Sequence, residues 1–171
     1  MKLLDTDTCI AILRGHEDVI HRRAATDDDV ATTWITAAEL HYGAAKSNAP
    51  ESNRTVVTEF LATLPILGLN EASVQIFGEV KALLERQGQR LADADLFIGA
   101  IAAAHQATVI TGNRRHYERI PGIAIEDWIR GLRPPARNSR LVLRGPVESS
   151  LVPRVGIEPT TRGFSVRCST N

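Results

Sequence analysis

Two cysteines in 171 residues, Cys9 and Cys168, lie far apart, and neither belongs to a CxxC or Cys/His pattern. A disulfide scaffold and a structural zinc site are therefore excluded. The histidines at 16, 21, 41, 105 and 116 show no HxH or HExxH spacing. No apolar run reaches the roughly 20 residues that a membrane span needs. The N-terminus has one lysine, then a short apolar run and acids, which is not the build of a secretory signal. No repeat of solenoid period is present. These absences lead to the expectation of a reduced, cytoplasmic, soluble protein without a membrane partner.

Net charge is also absent, with 20 Lys+Arg against 20 Asp+Glu, but the zero is a cancellation. Residues 1–131 carry net −5 and residues 132–171 carry net +5. The first piece is an acidic globular unit, and the 43% hydrophobic content supports one buried core rather than two domains. The second begins near Pro134-Pro135 and is rich in Arg, Pro, Gly and Ser without periodicity, a composition that favours disorder. Its end, from Val155 to Asn171, resembles the peptide made when a reading frame runs through a transfer-RNA gene on the antisense strand. It is read as a basic tail from read-through. An ordinary basic tail with weak nucleic-acid affinity explains the same composition.

Within 1–131, strand-like and helix-like segments alternate. Strands are expected at 2–4, 30–35, 65–69, 108–111 and 123–125. Helices are expected at 8–14, 17–25, 36–46, 51–63, 71–87 and 93–105, with a short helix or turn at 114–118. In the 71–87 helix, Val74, Phe77, Val80 and Leu84 are expected to line one face. Trp128 is expected to pack behind the last strand. Strands separated by helices imply an α/β fold, a mostly parallel central sheet flanked by helices in three layers.

Acids then stand out by position. Leu3-Leu4 ends a strand at Asp5-Thr-Asp7-Thr, where Asp7 reads as a helix N-cap. Glu39 follows Thr36 at capping-box spacing, and its simplest reading is the box. Asp93 and Asp95 precede an apolar helix, where acids suit the helix dipole. One acid explains a cap, and a second carries a burial cost that something must offset. Asn113 follows the strand at 108–111 and by itself reads as a turn residue. Each acid sits where a strand hands over to a helix, and in a parallel sheet those junctions gather on one edge. Clustered carboxylates repel. A divalent cation relieves that repulsion, and an all-oxygen site suits Mg²⁺ or Mn²⁺ rather than zinc.

Five segments in order, Leu3-Leu-Asp5-Thr-Asp7, Thr36-Ala-Ala-Glu39-Leu-His-Tyr-Gly43, Ala92-Asp-Ala-Asp95-Leu-Phe-Ile-Gly-Ala, Val109-Ile-Thr111-Gly-Asn113 and Ile120 to Trp128, carry a resemblance. The chain resembles PIN-domain ribonucleases, specifically VapC-type toxins of type II toxin–antitoxin systems. The resemblance implies Asp5, Glu39 and Asp95 as metal-binding catalytic carboxylates and Asp93 and Thr111 as supporting residues. Asn113 stands where many members carry a fourth acid, which implies one firmly held Mg²⁺ and a second ion arriving with substrate phosphate. Asp7 takes a place often held by Asn and is read as supporting or capping. Arg114 and Arg115 are weak RNA-contact candidates that solvated surface charge explains better, and His116 is weaker still. The family pattern implies a Mg²⁺-dependent endoribonuclease, a homodimer, a small VapB-like antitoxin over the site, and promoter DNA bound only through the antitoxin.

Two other readings compete. Asp5-Thr-Asp7-Thr fits the DxDxT pattern of haloacid-dehalogenase-like phosphatases, with Asp5 as nucleophile, but that chemistry needs a downstream lysine and the chain has none after Lys81. The other is a catalytically inactive PIN-like binding domain, which would keep the fold without metal chemistry.

Overall fold

The computed structural model describes residues 1–129. The boundary at 131/132, the tail and Cys168 lie outside the described residues. Five short strands, β1 (Lys2–Leu4), β2 (Val30–Thr33), β3 (Ile66–Leu67), β4 (Thr108–Ile110) and β5 (Ala124–Glu126), form one sheet in the order β3-β2-β1-β4-β5. Every pairing is parallel, so the expected mostly parallel sheet is wholly parallel. Seven helices connect them: α1 (Thr6–Leu13), α2 (Glu17–Ala25), α3 (Trp34–Ala45), α4 (Pro50–Leu61), α5 (Glu71–Arg86), α6 (Asp93–Ala104) and α7 (Arg114–Tyr117).

The strand period of two explains the layers. In β1, Leu3 and Leu4 are both fully buried but face opposite sides, and Val109 and Ile110 of β4 repeat the alternation in register. Leu4 and Ile110 join a core with Val19, Leu40, Val57, Phe60 and Trp128, under α1 to α4. Leu3 and Val109 join the other with Val80, Leu84, Leu96, Ile98 and Tyr117, under α5 and α6. A strand buried on both faces must read as a continuous apolar run, which is how β1 and β4 read.

Several expected boundaries move. α4 starts at Pro50, which occupies the first helical position where its missing N–H costs nothing. Val74 does not line the buried face of α5. It is exposed, and the face turned to the core is Ser73, Val80 and Leu84, with Phe77 stacked on Phe97 of α6 at 4.0 Å between ring centroids. The reason is the cap: Asn70 and Ser73 bond each other reciprocally, which turns Ser73 inward and Val74 out. Trp128 is buried as expected, its indole N–H donating to Glu126 at 2.8 Å.

Candidate active site

The carboxyl ends of β1, β2 and β4 and the first turn of α6 bring the acids together. Asp5, not Asp7, is the N-cap of α1. The sheet sets this, because Asp5 N–H still donates to Ile110 O at 3.1 Å, leaving Asp5 at the corner where strand becomes helix. Its carboxylate accepts from Thr6 N at 2.7 Å and from Thr111 Oγ1 at 2.9 Å. Asp7 lies inside the first turn of α1 and accepts from Gly112 N at 2.9 Å and Thr8 Oγ1 at 3.2 Å. Gly112 has little room for anything else: a Cβ there would stand 3.2 Å from Asp7 Oδ2 and from Ile129 Cδ1.

Glu39 is not part of a capping box. α3 begins at Trp34, and the buried Thr33 at the end of β2 caps it, accepting from Thr36 N at 3.0 Å. The helix therefore starts a few residues earlier than the Thr36-x-x-Glu39 spacing suggests. Glu39 stands beyond the first turn, free to reach across to α1, where it accepts from Thr6 Oγ1. Asp95, in the first turn of α6, meets Nδ1 of His116 at 2.8 Å. The same ring nitrogen lies 2.8 Å from Nδ2 of Asn113, so it can serve only one of them at a time.

The remaining candidates are placed differently. Thr111 sits between the acids, donating to Asp5 and accepting from Asn113 N at 2.9 Å. Asp93 points away to a salt bridge with Lys81 at 2.6 Å, and neither Asp93 nor Asp95 makes a side-chain cap bond. Arg114 is held by Glu118 at 3.1 Å, and Arg115 is exposed on α7.

Burial dominates the electrostatics. It pushes the Asp5 carboxyl up to about 7, helped by the neighbouring charges of Asp7 and Asp95 and opposed by the bonds from Thr6 and Thr111. Burial likewise raises Asp7, Glu39 and Asp95. Among the described residues no lysine or arginine forms a salt bridge with any of the four. Partly or fully buried acids unpaired with lysine or arginine, offering oxygen alone, suit a hard divalent cation. Among the described residues, no three acid or histidine side chains are yet grouped closely enough to enclose an ion. Thr6 and His116 hold Glu39 and Asp95 instead. Cys9 offers no alternative nucleophile, since burial pushes its thiol up to about 12.

Sequence reasoning missed Thr6 as the partner of Glu39 and undervalued His116.

The profile of the PIN domain matches residues 2–123. The tRNA(fMet)-specific endonuclease VapC of Salmonella typhimurium is 38% identical over 127 residues, covering 74% of this chain and 96% of that protein. Ribonuclease VapC2 of Rickettsia felis is 32% identical over 129 residues, covering 74% and 96%. A crystal structure of DNA-bound VapBC from Salmonella typhimurium superposes with a TM-score of 0.70 at 38% identity, covering 74% of this chain and 97% of that one. The chain belongs to the PIN-domain family and, within it, to the VapC ribonucleases. Membership sets aside the phosphatase reading, and the geometry agrees. Lys2 pairs with Glu126 and Asp28, Lys46 lies over Tyr42 and Lys81 pairs with Asp93, so none attends Asp5.

Proposed function

We propose that this protein is the toxin of a toxin–antitoxin pair, an endoribonuclease that cuts transfer RNA with Mg²⁺ or Mn²⁺ at Asp5, Glu39 and Asp95. The observation that carries the reading is the placement of Asp5, Glu39 and Asp95 at one edge of the sheet, with Asp5 and Asp95 buried and none of the three paired with a lysine or arginine among the described residues. The Salmonella relative, named for tRNA(fMet), supports the substrate class. The VapBC structures support a VapB-like antitoxin as partner, with promoter DNA bound through it, and a homodimer completes the reading.

Asp5, Glu39 and Asp95 would hold the cation. When bound, such an ion lowers the pKa of a water and neutralises charge on a phosphodiester. The protein's own work is orientation. Thr6 N–H and Thr111 fix both oxygens of Asp5, Asp7 ties the β4–α7 loop to α1, and His116 orients Asp95. Asp93 supports from outside by fixing α6 to α5 through Lys81. Arg115, exposed beside the site, is the better placed of the two arginines for a phosphate, because Arg114 is engaged by Glu118. With Asn113 neutral, the acids present would hold one ion firmly, and a second would come with substrate phosphate.

The test is cleavage of total cellular RNA by the purified full chain with Mg²⁺ or Mn²⁺, against EDTA and Asp5→Ala, with the cut ends mapped. Discrete metal-dependent cuts in transfer RNA, lost in Asp5→Ala, are expected. A folded protein that neither binds metal nor cuts would favour the inactive binding domain.

A further inference from the structure

Among the described residues, the two most exposed large apolar side chains, Trp34 at 61% and Tyr42 at 57%, stand on one helix, α3. Burial there follows the helical period. Trp34, Ala38, His41, Tyr42, Ala45 and, at the C-cap, Lys46 are exposed, while Ala37, Leu40 and Ala44 turn to the core. The Thr33 cap starts the helix directly at the end of β2, so Trp34 emerges on the carboxyl edge of the sheet. Ala31 of β2 pairs with Leu3 of β1, which sets the end of β2 one strand spacing, about 4.8 Å, from the end of β1 and Asp5. The indole edge lies by Gly68, just after β3, where a Cβ would stand 3.7 Å from Cδ1 of Trp34. Tyr42 follows Glu39 by three residues, a spacing at which helical side chains are neighbours. The exposed face of α3 therefore flanks the proposed cleavage site.

Charge points to the occupant. Residues 1–131 carry net −5, yet the exposed positions of this face hold no acid. Its lysine, Lys46, has its ammonium 5.7 Å from the centroid of the Tyr42 ring. Aromatic rings beside a cation and free of carboxylates suit a polyanion that carries bases. Every base has a π-face, so a ring can hold a nucleotide even where the surrounding charge draws phosphate poorly. Single-stranded RNA is recognised in this way, its unstacked bases splayed onto aromatic side chains. Residues 34 and 42 are separated by about 12 Å along the helix axis, well over the roughly 3.4 Å rise of stacked bases, so the two rings would meet different nucleotides.

We propose that the exposed face of α3 is a contact surface for single-stranded RNA beside the cleavage site, with Trp34 the platform on which a base stacks and Tyr42 with Lys46 a second contact. Trp34 binds substrate and takes no part in the chemistry. The proposal rests on the reading of the acids at this edge as the cleavage site.

The experiment is titration of the full-length protein with bulk transfer RNA in EDTA, which prevents cutting, near physiological salt, where phosphate contacts alone are weakened. The parent, Trp34→Ala, Trp34→Phe and Asp5→Ala are compared by filter binding and by tryptophan fluorescence. The chain has two tryptophans, and Trp128 is buried, so quenching by a stacked base reports on Trp34. The parent's emission is expected to fall on binding. Trp34→Ala should lose that quenching and bind roughly 5–150-fold more weakly, the range carried by stacking of one base. Trp34→Phe should recover most of the affinity. With Mg²⁺ present, Trp34→Ala should raise KM by the same factor and leave kcat near that of the parent, the mark of lost substrate binding. Because Trp34 is exposed, thermal melts of both variants should match the parent. An RNA affinity of Trp34→Ala within twofold of the parent would overturn the proposal, and loss of cleavage in Asp5→Ala alone would leave the nuclease reading standing. Unchanged RNA affinity with a shift from dimer to monomer in sedimentation would give the face to a second copy of the chain instead. A parent that neither binds nor cuts RNA would overturn the nuclease reading itself.

Discussion

At the scale of single residues, the site acids are held protonated more readily than free carboxyls, and this has a sign. Asp5 titrates near 7 in the fold against an ordinary 3.8, so between those values the native state binds more protons than the unfolded chain. Stability from this group is complete below about 4 and is lost as pH rises through 7. Asp7, Glu39 and Asp95 shift in the same direction. The opposing shift of Glu126, bound by Lys2, acts only in acid below its ordinary 4.5. Metal-free protein in EDTA should therefore lose roughly 2 kcal/mol of unfolding free energy from pH 5 to pH 8 in urea titrations. Asp5→Asn should flatten that slope, and Mg²⁺ should offset the loss by favouring the ionised acids. An unchanged urea midpoint across the window would contradict it. Asp7→Asn probes the same coupling. The amide can still accept from Gly112 N, but the charge that helps raise Asp5 is gone, so the slope should become shallower without loss of the fold. The placement of Asp5 and Asp95 at the start of helices was legible in the sequence. The unpartnered hydroxyl of buried Tyr117 was not, since nothing in a tyrosine's local pattern tells whether a core ring's hydroxyl finds a partner.

At the scale of elements, the caps decide where each acid points. Thr33 ends β2, pairs in register with Leu67 and caps α3, all while fully buried. Removing its hydroxyl leaves Thr36 N–H unsatisfied. Thr33→Ala should cost about 1–2 kcal/mol in urea unfolding, with Thr33→Ser recovering most of it. Because the cap sets the start of the helix that carries Glu39, Thr33→Ala should also weaken Mn²⁺ binding, whereas Asn70→Ala at the α5 cap should cost comparable stability and leave Mn²⁺ binding intact. Equal effects of both caps on metal binding would show that the α3 start does not matter to the site. The alternation of elements was readable because buried parallel strands are apolar runs and helices show their period. The ends were less so. Thr33 and Thr36 are both good caps, and only the pairing of β2 with β3 selects the first. Val74 follows the same lesson, since its apolar character fitted a core face that the Asn70–Ser73 cap rotates outward.

At the scale of the whole molecule, the two charge blocks set opposed demands. Residues 1–131 are acidic, and residues 132–171 bring seven arginines, a source of phosphate contacts for the proposed RNA substrate. The match to relatives argues that the chemistry does not need them. The Salmonella enzyme is covered over 96% of its length by an alignment of 127 residues, which leaves the C-terminal segment without a counterpart there. A chain ending at residue 131 should therefore melt at the same temperature as the full protein and cleave with unchanged kcat near physiological salt. Salt dependence separates a bystander from an RNA-binding arm. Each phosphate neutralised on a single strand contributes about −0.7 to the slope of log affinity against log salt. If the segment is read-through without a selected role, the full and shortened chains should share one slope. A slope steeper by several units in the full chain, with tighter binding at low salt, would instead make the arginines a working part of the substrate grip. The acidic domain would then depend on its tail for encounter with RNA and on its buried carboxylates only for the cut.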